Sequence, residues 1–131
     1  MAAEHTVVNL KSDVKDMAAE HGLSPNLESR FARTNLGMEK GGLSYFRTAP
    51  DFDQPFGHTH TEQEEVYVIV SGSARAKIGD EVVELSQWDA LRVPPGVWRS
   101  LAGGPDGCEL LAFGAPNTDN KDTEMQPGFW D

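Results

Sequence analysis

The alternation of apolar and polar positions changes period near residue 27. Before it, Val7-Val-Asn-Leu10 reads as a short strand and Asp13 to Glu20 as a short helix. Val14, Met17 and Ala18 fall on one helical face, Ser12 stands at the N-cap, and Gly22 sits where a C-terminal glycine belongs. Ser24-Pro25 ends this segment. From Leu27 onward the period is two, and the pattern predicts strands at 27–34, 43–48, 56–60, 64–71, 73–78, 81–85, 90–93, 97–101 and 108–114. Gly79-Asp80 suits a two-residue hairpin with glycine first, Pro94-Pro-Gly96 a rigid turn, and Gly103-Gly-Pro-Asp-Gly107 a loop. Many short strands with turns between them predict an all-β sandwich or barrel. The chain divides into an extension of strand and helix at 1–26, a barrel at 27–115 and a polar tail at 116–131. The tail has two readings: irregular, or tacked to the body by Phe129 and Trp130.

The predicted strand 64–71 is apolar on both faces. Glu65, Tyr67 and Ile69 point one way, and Val66, Val68 and Val70 the other. A strand of this kind is covered on both sides. A barrel interior covers one; a second subunit, hence a homodimer, covers the other, unless the chain's own first 35 residues do so. With 131 residues the expectation is one domain, large enough for a core without staples. Cys108 is the only cysteine, so no intrachain disulfide forms, and it reads as buried and inert. The charge of −10 argues against a nucleic-acid partner and against an anionic membrane surface. The first residues lack the basic and apolar regions of a secretory signal, and the longest apolar run, Val66 to Val70, is far below the ~20 residues of a spanning helix. These features predict a soluble cytoplasmic protein.

Candidate chemistry concentrates in His58-Thr59-His60, which holds two of the four histidines. Residues two apart on a strand share a face, so both imidazoles can reach one metal at about 2.0–2.1 Å. The turn Thr61-Glu-Gln-Glu64 then brings the next strand back with Glu65 beside the histidines, as a hard oxygen ligand. Two histidines and one carboxylate leave coordination positions open for substrate or dioxygen. Glu62 and Glu64 read as a solvated acidic turn, and His5 and His21 as surface residues. For Glu65 the alternative is an exposed carboxylate at a strand start.

Here the sequence resembles the cupin superfamily. His58-Thr-His60, four residues, Glu65, six residues and Gly72 match the first cupin motif from its histidines onward, and Pro94-x-Gly96 fits the second; the resemblance spans roughly residues 40–115. It implies an antiparallel jelly-roll (cupin) barrel, preceded here by the short N-terminal helix. It also implies a dimer, and one divalent transition metal (Fe, Mn, Ni or Zn) on His58, His60 and Glu65. Four motif positions depart: Phe52, Trp88 and Gly103 replace glycine, glycine and asparagine, and Arg99 replaces the histidine that is the family's fourth ligand. A guanidinium stays protonated and has no lone pair to donate. Val97, Arg99 and Leu101 share a face, so Arg99 is expected to point inward. Two readings follow. In one, the chain is a metal-assisted enzyme (oxygenase, decarboxylase or isomerase type) acting on a small, anionic molecule. Glu65 and Tyr67 then handle protons, and Arg99, Phe56, Tyr45 and Trp98 contact substrate. In the other, it is a metal-free binding or assembly module in which Arg99 pairs with Glu65 or with a ligand anion.

Overall fold

The computed structural model describes residues 3–131. Eight antiparallel strands form one continuous, curled sheet: β1 (Leu27–Phe31), β2 (Gly42–Thr48), β3 (Phe56–His60), β4 (Glu64–Ile78), β5 (Glu81–Leu85), β6 (Ala90–Val93), β7 (Arg99–Ala115) and β8 (Thr123–Pro127). Two one-turn helices, α1 (Met17–Glu20) and α2 (Arg33–Leu36), flank β1.

Two long strands make the barrel. The first half of β4 pairs with β6 and with residues 108–115 of β7, which also pair with β2; the second half pairs with β5 and with residues 99–103 of β7. The layers β1-β2-β7-β4-β6 and β8-β3-β7-β4-β5 therefore share their two central strands. The pattern predicts two strands where each of these runs through. Short breaks in register, between Ile69 and Ser71 and between Gly72 and Ala74, explain the difference. They shift the inward set of β4 from Glu65, Tyr67 and Ile69 to Ala74 and Ala76, and that of β7 from Arg99 and Leu101 to Cys108, Leu110 and Ala112. A bulge of this kind bends a strand without ending it. The glycine-rich stretch 103–107 is thus a bulged part of β7 rather than a loop.

Glycine is required at the bend. Gly72 has φ +72°, and a Cβ there would lie 2.0 Å from the Gly107 carbonyl oxygen. A Cβ at Gly103 would lie 2.1 Å from the Ala49 oxygen, so the asparagine expected at this position does not fit this backbone. Trp88 has φ +70°, the left-handed conformation that glycine would adopt freely, and its side chain is exposed.

The ends of the chain differ most from the pattern. Val7 to Leu10 form no strand, and Val7 lies open to solvent. The α1 helix begins at Met17, because Asp16 rather than Ser12 caps it: the Asp16 carboxylate accepts from the Ala18 N–H at 3.0 Å and also from the Ser29 N–H at 2.9 Å. The same residue thereby fastens α1 to β1, with Val14 and Ala18 buried. Strand 27–34 stops at Phe31, where α2 turns the chain. The tail is built into the barrel. Strand β8 pairs with β3 from Phe56↔Pro127 to His60↔Thr123, Phe129 stacks on Trp98 at 6.2 Å, and the Trp130 indole donates to Ser100 Oγ at 2.9 Å.

Gly72→Ala should lower unfolding stability by about 2–5 kcal/mol, combining left-handed strain with a backbone clash. Urea denaturation reads this directly, and an unchanged midpoint would refute the close approach of β4 to β7 at Gly72.

Candidate metal centre

Strand pairing assembles the site. His58 and His60 project from the same face of β3, and Glu65 is the second residue of β4, after a turn. Arg99, at the start of β7, stands opposite His58 in the ladder. One ligand atom each from His58, His60 and Glu65 lies within 4.8 Å of the others. Both imidazoles turn Nε2 toward the same carboxylate oxygen: Glu65 Oε1 is 3.2 Å from His58 Nε2 and 3.5 Å from His60 Nε2. The Tyr67 hydroxyl donates to that oxygen at 2.7 Å, and Arg99 Nη1 approaches it at 3.9 Å.

The electrostatics follow from this crowding. Burial alone would raise the Glu65 pKa, but the neighbouring His58, His60 and Tyr67 hold its carboxyl well below the usual range. Burial, followed by the neighbouring Glu65 charge, keeps the Tyr67 phenol well above its ordinary value, in the protonated form that donates to Glu65. For His60, burial opposes the proton, yet the hydrogen bond and charge of Glu65 outweigh it and raise the pKa. Arg99 is fully buried, and none of its three guanidinium nitrogens has a hydrogen-bond partner. A buried charge without hydrogen bonds is costly, and Glu65 is the acidic group that faces it.

The donor set suits a divalent transition ion. Two imidazole nitrogens and a carboxylate oxygen match the preferences of Fe, Mn, Ni or Zn and leave further positions open. The fourth family position holds a cation that cannot ligate.

A cavity of about 950 Å³ leads to this group, with His58, His60, Glu65 and Tyr67 on its wall. Leu27, Phe31, Phe46 and Leu110 line it from the β1-β2-β7 side, Met17 and Leu23 from the α1 segment, and Phe56 and Met125 from β3 and β8. Phe56 therefore stands where a substrate contact is expected. Three other expected contacts do not line the cavity. Arg99 is sealed behind Glu65. Tyr45 points outward from β2, where its hydroxyl donates to Glu109 at 2.6 Å; burial and that hydrogen bond push its pKa up to about 12. Trp98 packs beneath the tail ring of Phe129. Cys108 is buried, and burial pushes its thiol pKa up.

Sequence reasoning missed Asp122. Its carboxylate lies 3.2 Å from His60 Nδ1 and accepts the backbone N–H groups of Glu62 and Gln63. The only sequence signal was its place in the acidic tail, which does not distinguish it from its neighbours.

Comparisons with known proteins fit this geometry. No curated protein matches the sequence. Among solved structures, a cupin protein from Bacteroides fragilis superposes with TM-score 0.71 at 20% identity, covering 89% of this chain and 88% of that one. A tryptophan-to-phenylalanine variant of oxalate decarboxylase from Bacillus subtilis gives TM-score 0.73 at 22% identity; 94% of this chain aligns with 34% of that one. A nucleoside dehydratase from Streptomyces gives TM-score 0.66 at 15% identity, covering 78% and 79% of the two chains. At these identities the likeness establishes the fold. The family model described as a cupin domain matches residues 45–113, a span that contains the histidine pair, Glu65 and Arg99, and the chain therefore belongs to the cupin family.

Proposed function

We propose that the chain holds one divalent transition metal (Fe, Mn, Ni or Zn) on His58, His60 and Glu65 and carries out metal-assisted chemistry on a small molecule bound in the barrel cavity. The observation that carries this reading is the convergence of three ligand atoms from β3 and β4 at the wall of an apolar cavity. A metal in this place supplies Lewis-acid polarisation of a substrate oxygen. The neighbours named above, two of them enzymes, lend it support by analogy of fold alone.

The chain's own residues have separable tasks. Tyr67 fixes the Glu65 carboxylate from its buried side. Leu27, Phe46 and Leu110 strip water from an apolar substrate body, and Phe56 closes the wall next to His58. A carboxylate or enolate oxygen belongs at the polar wall, where the positive charge of Arg99 acts through Glu65 without contact. That charge sets the affinity. At about 5 Å and an effective dielectric near 20, a unit positive charge raises the energy of a divalent cation by roughly 7 kcal/mol. Structural zinc sites gain about 10–16 kcal/mol in all. Arg99 thus weakens the site greatly without abolishing it, and an anionic substrate offsets part of the repulsion.

A second reading rests on the 3.9 Å approach of Arg99 to Glu65. Here the two form a buried ion pair, and the barrel is a metal-free, non-catalytic binding or assembly module.

Elemental analysis separates the readings. Protein purified without a metal-affinity tag should carry close to one transition metal per chain, and His60→Ala should lose it; a metal-free wild type rejects the enzyme reading. Arg99→His should raise metal affinity by at least tenfold, the order expected when a repulsive charge becomes a ligand. Titration calorimetry would expose a misplaced guanidinium if affinity stays flat or falls.

The outer face of β4 supports a homodimer. Val66, Val68 and Val70 are only half-buried, and Phe113, paired with Val66, is 48% exposed. Sedimentation at micromolar concentration should give about twice 14.3 kDa, and a monomer mass would retire the dimer.

A further inference from the structure

The segment after β7 is more than a tether. It folds back along the wall of the cavity and plants one carboxylate behind the second histidine of the candidate metal group. Asp122 precedes β8, lies outside the span matched by the family model, and has a side chain only 5% exposed. Its Oδ2 accepts the N–H groups of Glu62 at 3.1 Å and Gln63 at 2.9 Å, and its Oδ1 accepts the Thr118 hydroxyl. Oδ1 also lies 3.2 Å from His60 Nδ1. The Asp122 carbonyl holds the Thr61 N–H at 3.0 Å, so backbone and side chain together clamp the 61–63 turn.

We propose that Asp122 is the positioning residue of the site: it fixes His60 with its proton on Nδ1, so that the Nε2 lone pair faces Glu65 and the cavity.

The argument is one of donors and acceptors. An ionised carboxylate only accepts hydrogen bonds. Three donors already converge on Asp122, and none would be satisfied by a carboxyl proton. If the neutral His60 imidazole carried its hydrogen on Nε2, an Nδ1 lone pair would face a carboxylate lone pair at 3.2 Å. With hydrogen on Nδ1, the same contact becomes a charge-assisted hydrogen bond. That form instead leaves the Nε2 lone pair toward Glu65 Oε1 at the longer 3.5 Å, an oxygen that already accepts the Tyr67 hydroxyl. Thr123 Oγ1, 3.1 Å from Nδ1, can sit beside either form, so it does not decide. A carboxylate behind a ligating histidine fixes ring orientation and raises ligand basicity, and its loss costs about 10–100-fold in metal affinity. His58 shows no such partner among the described residues; its polar side-chain contact is Glu65. The two imidazoles are therefore unequal: His60 is held from behind, and His58 is held only from the front.

The consequence for affinity rests on the metal reading above; the tautomer does not. Long-range ¹H–¹⁵N imidazole spectra of the metal-free, full-length protein, recorded where the ring is neutral, should show His60 as the Nδ1–H form. Asp122→Asn keeps the shape but has a single acceptor oxygen. Two backbone N–H groups claim that oxygen, which turns the amide NH₂ toward His60. His60 should then shift to the Nε2–H form while His58 keeps its signature, and zinc affinity, measured against a chromophoric chelator, should fall 10–100-fold. A wild-type His60 carrying Nε2–H overturns the proposal, whether or not the variant folds. So does a variant that keeps the Nδ1–H form and binds zinc within twofold of wild type. A wild type with the Nδ1–H form but no zinc affinity supports the role of Asp122 and rejects the metal reading.

Discussion

A single carboxylate oxygen, Glu65 Oε1, balances the charge inside this barrel. Two imidazoles, a phenol and a guanidinium approach it within 4 Å, and they come from three different strands. Removing that negative charge would leave Arg99 fully buried with no acid beside it, the situation in which a buried charge costs most. The carboxylate is therefore both a candidate ligand and the counter-charge that lets a cation occupy the interior. That double duty constrains any chemistry here. Protonating Glu65 would remove the counter-charge of Arg99, so any proton transfer through this carboxylate is coupled to the buried guanidinium.

The geometry behind this meeting is the sharing of β4 and β7 between both layers. Glu65 and Arg99 lie near the starts of two antiparallel, paired strands whose register shifts beside the Gly72–Gly107 contact, and each strand changes its inward parity there. Without the shift, either the odd positions that carry Glu65, Tyr67 and Arg99 or the even positions that carry Ala74 and Leu110 would face out. Gly72 is therefore a requirement of backbone approach, met some distance from the chemistry it allows.

Much of this was legible in the chain. His58-Thr-His60 with Glu65 after a turn predicts shared faces from strand period alone, and Val97-Trp-Arg99 predicts an inward arginine from the parity of its neighbours. What stayed hidden depended on partners distant in sequence. The continuity of β4 and β7 was masked because glycines that permit a bulge look like glycines that end a strand. The Asp16 cap was masked because its second acceptor role, toward Ser29, arises only after β1 docks. Tyr45 and Trp98 were placed by residue type, and their rings follow Glu109 and Phe129, which no local pattern connects to them. Asp122 was one acid among several in a polar tail; only the pairing of β8 with β3 sets it behind His60.

The departures from the family pattern divide into two physical kinds. Trp88 and Gly103 concern backbone. Trp88 keeps the left-handed conformation that the replaced glycine would supply, at a cost of about 1–2 kcal/mol that the surrounding hydrogen bonds override. Gly103 is imposed by the close approach of Ala49. Neither alters the interior. Arg99 leaves the backbone untouched and changes the chemistry, replacing a neutral donor with a permanent cation. On the proposed metal reading, the barrel is thereby turned from a site with four ligand positions into one whose affinity would rest on three ligands and on how well each is aimed. In such a site, a carboxylate that orients one imidazole matters more than it would where a fourth ligand shares the load. The tail that supplies Asp122 and the arginine that removes the fourth ligand are, on this argument, two sides of one adjustment.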